Sequence, residues 1–420
     1  MQQPQDQSTL MIYAPVPVHR WQGQLYVEAQ AANGLRLWSD HFARVIAVMP
    51  EKAAPPPDGW VALAQVQDDF PRVRLETVPA AYRPDAFLRA LPQQRRRLAG
   101  WINEADYLSF AIGGLFGDWG AVCAREAVRA DRPFAVWTDR VESELTYQAR
   151  NWGRWRHRLR ARLYHRPMVW LERWVISRAA LGLFHGRETY EAYAPYCRNP
   201  QIVHDIHLSA EDHISDASYA EKCAALGERL LRLVYTGRAD EMKGPLDWVE
   251  VLERLAAEGV DFEANFLGDG PCLPEMRARL TAAGLDRQVT LHGFVEERAE
   301  VLRHLRRADV FLFCHKTAES PRCLIEALTS ATPIIGYEGA YARDLIAPHG
   351  GGILVPRNDI AQLSQILAEL ANSPARLRQL IAAARRDGTP FTDVAVFEHR
   401  SEVIKTHLPP RANRQATSSH

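Results

Sequence analysis

Arg238 and Lys243 stand five residues apart in YTGRADEMKGPLDW, directly after the apolar run LRLVYT. Two cations at a strand end suit a diphosphate, and an arginine can fork onto two phosphate oxygens. Each close pair of unit charges interacts by on the order of 4 kcal/mol at an effective dielectric near 20, before desolvation. The same spacing also fits an ordinary charged surface loop. Glu319 and Glu326 stand seven apart in KTAESPRCLIEALTS. Ser320 is a good helix N-cap and Pro321 a good first helical residue. The N–H groups of Arg322, Cys323 and Leu324 are then expected to face a cleft as an anion site. Glu326 would lie about 7–8 Å along the axis, with Glu319 just outside the helix. Ionised carboxylates are pure acceptors and grip sugar hydroxyls well. Acids near a helix start are also favourable with no ligand at all. Gly268 in FLGDGP and Gly293 in LHGF end two further strands and permit close backbone approach to a flat base.

The elements that must position these groups are legible from periodicity. From residue 231, short apolar runs (LRLVYTG, DFEANFLG, VTLHGF, DVFLFCH, TPIIGY, GGILVP) alternate with amphipathic stretches such as PLDWVEVLERLAAEG and DIAQLSQILAELANS. That is the mark of parallel βαβ units. A looser alternation fills the first half: MIYAPVPV, ARVIAVMP, DYLSFAIGG, PFAVWTD, LGLFHG and PQIVHDI read as strands, VEAQAANGLRLWSDHF and GAVCAREAVRA as helices. The expected class is α/β, with two Rossmann-like, doubly wound domains facing a central cleft. Ligands of such sheets bind beyond the carboxyl ends of the strands. The expected boundaries are a first domain over 1–209, a linker over 210–230 and a second domain over 231–385. A last helix over 386–408 and a polar tail over 409–420 complete the chain.

Taken in order, TGRADEMKG, NFLGDGP, TLHGFV, DVFLFCHKTAESPRCLIEALTSATPIIGY and GGILVP resemble the donor domain of family-4 retaining glycosyltransferases, which have the GT-B fold. The resemblance covers roughly residues 231 to 370; it implies that the domain over 1–209 binds the acceptor, that the domain over 231–385 binds the donor and that the helix over 386–408 crosses back to the first domain. It implies that Arg238 and Lys243 hold the diphosphate of a nucleotide sugar (a UDP or GDP sugar), that Glu326 binds the ribose hydroxyls and that Glu319 binds the donor sugar. It implies catalytic weight on Arg238, Lys243 and Glu319, and a leaving phosphate that assists deprotonation of the acceptor. The family's glutamates usually have seven residues between them, and here there are six; the usual first position falls on Ala318. The glycine common between them is also absent, its place reading SPRC.

The first half departs further from the family. HRWQGQ offers only Gly23 where a Gly-Gly pair is common in the loop approaching the phosphates. Thr138 and Asp139 stand at a strand end where the family often has a histidine near the sugar; Asp139 is a candidate for a catalytic role there, and reads first as a capping or salt-bridged acid. AIGGLFGDWG, with Asp118, is a glycine-rich strand end that would border the acceptor.

Composition narrows the rest. Lys+Arg and Asp+Glu both number 51, so net charge argues neither for nor against nucleic acid. The six cysteines lack CxxC spacing, which makes zinc and a disulfide framework unlikely and a reducing cytoplasm the default. No acidic cluster of DxD type is set to hold a metal, and no cofactor is expected. The N-terminus lacks the pattern of a signal peptide, and no apolar run approaches the ~18 residues of a membrane span. From Arg150 to Arg166 the chain reads RNWGRWRHRLRARLYHR, and MVWLERWV follows; QQRRRLAGW is a second basic-aromatic stretch. Such segments suit an anionic membrane surface on the cytoplasmic side, or form a solvated basic helix. No nucleic-acid motif accompanies them, and no nucleic-acid partner is expected. The function expected from all this is sugar transfer from a nucleotide-diphosphate donor to a glycan or a polyprenyl- or lipid-linked acceptor in surface polysaccharide or glycolipid assembly. A catalytically weak relative that only binds such ligands, and a nucleotide-sugar epimerase or phosphorylase of the same architecture, remain as alternatives.

Overall fold

The computed structural model describes residues 7–148, 155–227, 230–317 and 319–411. Two compact units divide the chain: residues Met1–His207 with Val394–His420, and Leu208–Asp393.

In the first unit β1 (Thr9–Tyr13) pairs in parallel with β4 (Arg44–Lys52) on one side and β7 (Tyr107–Ala111) on the other. The sheet runs on through β8 (Ala135–Thr138), β9 (Leu181–His185) and β10 (Pro200–Val203), all parallel. Strands β1, β7 and β9 are buried at every position, as expected where helices cover both faces. The helix Pro84–Glu104 presents Leu98, Trp101 and Ile102 to this core, and the helix Trp119–Arg129 presents Cys123 and Ala127. Beyond β4 the sheet changes character. Strand β6 (Val73–Pro79) still pairs in parallel, but β2 (Val18–Trp21) and β3 (Gln24–Glu28) form an antiparallel hairpin that β5 (Trp60–Ala62) extends. The strand β3 takes up part of the segment that periodicity assigns to a helix; the helix itself begins at Ala29.

The second unit is the cleaner of the two. Its sheet, among the described residues, has the order β13-β12-β11-β14-β15-β16, with β11 at Leu231–Thr236, β12 at Phe262–Leu267, β13 at Val289–Gly293, β14 at Val310–Phe313, β15 at Ile334–Tyr337 and β16 at Gly352–Val355. Every pairing is parallel. Counted within the unit, this is the 3-2-1-4-5-6 order, whose winding reverses between β11 and β14; the crevice at that switch is where such sheets bind ligands.

Residues 210–230, read above as a linker, carry a turn capped by Ser209 and Asp212 and a helix, Asp216–Ala224, within the second unit. At the other end the helix Pro374–Gly388 stays with the second unit, and the helix Asp393–His407 packs on the first. There Phe397 meets Trp38 edge-on at 5.1 Å, Arg400 lies 4.9 Å over Trp38, and Lys405 donates to the His41 carbonyl at 2.6 Å.

Candidate functional site

The loops after β11 and β14 are stitched together. Lys316 N–H donates to the Met242 carbonyl at 2.9 Å, and Lys316 Nζ reaches Asp247 at 2.6 Å. Asp247 also accepts from the Tyr337 hydroxyl at 2.7 Å, so one buried carboxylate on the helix Pro245–Ala257 ties β15 to both loops. Gly244 makes the close approach feasible: its φ is +62°, and a Cβ there would sit 2.1 Å from the Cys314 carbonyl oxygen. Gly268 does the same on the other flank, where a Cβ would lie 1.7 Å from the Gly237 oxygen.

A cavity of about 480 Å³ opens at this switch point, and Arg238, Lys243, Gly268, Arg322, Cys323 and Glu326 line it. Groups from the ends of β11, β12 and β14 thus meet at one place, although up to 88 residues separate Arg238 from Glu326 (326 − 238). Gly293 does not line it; its carbonyl accepts the Gly268 N–H at 2.8 Å, next to the lining residue Phe294. The two cations differ. Arg238 is 66% exposed, 3.4 Å from Asp240, whereas Lys243 is only 11% exposed and donates to Glu319 at 2.6 Å. Glu319 therefore neutralises one of the cations proposed to hold a diphosphate, and any anion that takes Lys243 must displace it.

The helix expected at Ser320-Pro321 begins one residue later. It spans Arg322–Thr329 with Pro321 at the N-cap and no side-chain cap. The residue before a proline resists helical geometry, so buried Ser320 sits outside the helix and is not its cap. Leu324 N–H is taken by the Pro321 carbonyl at 3.2 Å, which removes it from the expected anion site and leaves Arg322 and Cys323 at the opening. Ala318, the family's usual first-glutamate position, lies outside the described residues. Burial raises the Glu326 carboxyl above the ordinary glutamate range, against the pull of Arg298 and Arg322. Arg298, from the helix Arg298–Arg307, stands 3.6 Å from Glu326 and 3.8 Å from Asp212. Burial pushes the Cys323 thiol up to about 12, so it stays protonated and is no nucleophile at neutral pH.

Several lining groups escape a reading of the sequence. Thr236, at the end of β11, lines the cavity, and its buried hydroxyl meets no partner among the described residues. Phe294, 77% exposed, and Val295 give it an apolar wall beside Gly293. His315 is buried, 3.1 Å from the Tyr235 hydroxyl and 3.8 Å from Glu319; burial first and Lys243 second hold it well below the usual histidine range, hence neutral. Nothing in their spacing marks these residues; only the paired strand ends bring them together.

The first unit's candidates do not assemble in this way. Gly23 (φ +80°) and Gln22 (φ +50°) form the tight turn between β2 and β3, with nothing within 4 Å of a Cβ at Gly23, so this glycine serves a hairpin. Asp118 caps the helix Trp119–Arg129, accepting from Ala121 at 3.0 Å and from Gly113 at 3.2 Å. Its carboxyl is raised to about 6 by burial, and its hydrogen bonds account for it as a cap. Asp139 is exposed at the end of β8. In the basic stretches, Trp101 of QQRRRLAGW is buried under Arg97 at 4.8 Å and belongs to the core. Residues 150–154 lie outside the described residues, and the helix Trp155–Arg178 follows them.

Residues 224–387 match the family model described as glycosyl transferases group 1. A curated relative, the amylovoran biosynthesis glycosyltransferase AmsK of Erwinia amylovora, is 28% identical over 182 residues, 42% of this chain and 44% of that one. The 2-deoxystreptamine N-acetyl-D-glucosaminyltransferase of Streptomyces fradiae is 32% identical over 155 residues, 36% and 37% of the two chains. The chain thus spans well under two thirds of the length of these relatives. Among solved structures, Anabaena HepE in complex with UDP matches with a TM-score of 0.67 at 13% identity, over 95% of this chain and 100% of that one. WaaG, a glycosyltransferase involved in lipopolysaccharide biosynthesis, matches at 0.60 and 13%, over 94% and 99%. These likenesses show the fold, two parallel-sheet units of GT-B type. Through residues 224–387 the chain is similar to glycosyl transferases group 1.

Proposed function

We propose that the chain is a retaining α-glycosyltransferase, moving a sugar from a nucleoside-diphosphate donor to a hydroxyl of a glycan or lipid-linked acceptor. One observation carries the reading: Arg238, Lys243, the first turn of Arg322–Thr329 and Glu326 border a single cavity at the switch point of the second sheet. As the bond from the anomeric carbon to the diphosphate breaks, negative charge develops on the leaving oxygens. Arg238, Lys243 and the helix start at Arg322 and Cys323 line the cavity and would answer that charge. The acceptor oxygen bonds to the anomeric carbon, and its proton passes to the departing diphosphate. Glu326 accepts the ribose hydroxyls, and Phe294 offers an apolar wall to the base. Thr236 lines the same cavity, with its hydroxyl buried and unbonded among the described residues.

In this reading Glu319 has two partners in turn. It holds Lys243 while the cavity is empty, and turns to the donor sugar when phosphate oxygens replace it. The relatives named for amylovoran and lipopolysaccharide biosynthesis support surface polysaccharide or glycolipid assembly as the setting.

The test is a panel of UDP and GDP sugars, scored first for thermal stabilisation and then for release of nucleoside diphosphate with a glycan or polyprenyl-linked acceptor. A ligand at about 100 times its dissociation constant adds ~2.7 kcal/mol to stability. Acceptor-dependent release that vanishes in Arg238→Ala supports transfer. Donor binding with no release in any arm means a binding protein, and a sugar recovered inverted at one carbon means an epimerase. Donor binding unchanged in both Arg238→Ala and Lys243→Ala overturns the diphosphate assignment.

A further inference from the structure

We propose that the outer face of the helix Trp155–Arg178 docks on an anionic lipid bilayer, lying parallel to its surface. Trp155, Leu159, Leu163 and Trp170 are 68%, 48%, 63% and 65% exposed. At 3.6 residues per turn they fall within an arc of about 80° and form a stripe about 22 Å long. Ala161, Met168, Glu172, Val175 and Ile176 are buried on the opposite side, where Glu172 accepts from Ser143 and the helix meets the first unit's core. The stripe therefore does not arise from a helix packed the wrong way round; the inward face is already filled.

Charge names the occupant. Between Glu144 and Glu172 the chain has seven arginines and no acid, in a protein whose lysines and arginines as a whole only balance its acids at 51 each. Arg158, Arg160, Arg162 and Arg166 are exposed beside the stripe. Arg166 lies within it, and its stem can rest on apolar surface while the guanidinium reaches the headgroups. Apolar side chains with tryptophan at both ends of the row, fringed by arginine, match the depth profile of a headgroup layer above acyl chains. Phosphate contacts to nucleic acid would leave Leu159 and Leu163 without a role. A second copy would set arginine against arginine. No helix among the described residues is long and apolar enough to cross a membrane, so this contact is with one surface.

The inference narrows the acceptor of the proposed reaction to a lipid-linked one, and in that respect rests on that reading; vesicle binding is measured apart from sugar transfer. The full chain is floated with vesicles of phosphatidylcholine alone and with a third phosphatidylglycerol, at low and high salt. Binding is expected only with the anionic lipid, and it should fall about tenfold or more in Leu159→Ser/Leu163→Ser/Trp170→Ser and again in Arg162→Gln/Arg166→Gln. Melting temperatures and donor binding of these variants should match the parent, which separates loss of docking from loss of folding. Arg238→Ala should float as the parent does. Equal binding to neutral vesicles, binding unchanged in both variants, tighter and stripe-dependent binding to a random oligonucleotide, or a dimer abolished by the triple substitution with no vesicle binding each overturns the proposal.

Discussion

Gly268 and Gly23 both follow a strand in this protein, and they do opposite things. A methyl group at Gly268 would lie 1.7 Å from the carbonyl oxygen of Gly237, whereas one at Gly23 would meet nothing within 4 Å. The first glycine lets two strand ends press backbone against backbone and so shapes a cavity; the second only turns a hairpin. The contrast extends to the acids. In the second unit Glu319 pairs with Lys243, a cation that lines the cavity, and Glu326, which lines it too, stands beside Arg298. In the first, Asp118 caps a helix and Glu172 holds Ser143. A glycine or a carboxylate at a strand end is therefore no sign of a site until its neighbours are known.

The comparison breaks most readily at the glycines. Gly268→Ala should cost about 3 kcal/mol and abolish nucleotide binding, because backbone must move to admit the methyl. Gly23→Ala should cost about 1 kcal/mol, the strain of a positive φ, and spare nucleotide binding. Chemical denaturation and a nucleotide titration read both, and a milder Gly268→Ala than Gly23→Ala would undo the contrast.

Next come the two cations. Lys243→Ala strands Glu319, only 15% exposed, without its partner and should destabilise by about 3 kcal/mol. Arg238, 66% exposed, should leave stability within about 0.5 kcal/mol when changed to alanine while weakening nucleotide binding about tenfold. Equal unfolding midpoints for the two variants would mean that the buried pair carries no weight.

The acids of the first unit make a pH test. Burial raises Glu172 from 4.5 to about 7, and Asp118 to about 6. Between the unfolded and folded values the native state keeps a proton that the unfolded chain has lost. Stability is thus full at the acid end of that window and falls as pH rises towards 7, by up to ~1.4 kcal/mol per unit for each group. Glu172→Gln should flatten the fall between pH 5 and 7 in urea titrations; an unchanged slope would show that its two bonds from Ser143 outweigh burial. Smallest of all, Thr236→Val removes a buried hydroxyl that meets no partner among the described residues. It should raise stability by about 1 kcal/mol and weaken nucleotide binding about fivefold, a split that a purely structural threonine would not give.

The second unit was legible because its strands β14 and β15 are buried throughout and its helices alternate regularly with its strands, so apolar runs and turns marked nearly every element. The cations at 238 and 243 could be found because they immediately follow such a run. Thr236, His315 and Phe294 could not, since a threonine, a histidine or a phenylalanine gains its place from the neighbouring strand and not from its own segment. Ser320 misled for a local reason: serine before proline looks like a cap, yet the helix starts only after the proline. In the first unit the hairpin β2–β3 hides behind a segment with helical periodicity, because a short strand, Gln24–Glu28, leads directly into the helix at Ala29. The stretch QQRRRLAGW and the helix from Trp155 look alike in composition. Only packing separates a tryptophan in the core from tryptophans on the outside.

The last helix, Asp393–His407, gives the chain an unequal timetable. Residues 208–393 form an uninterrupted segment, so that unit has all its parts once they have left the ribosome. The first unit must wait with the ring of Trp38 uncovered until Phe397 and Arg400 emerge. A nonsense codon near residue 390 would therefore injure the amino-terminal half of the protein, from which it is most distant in sequence, and spare the half that immediately precedes it.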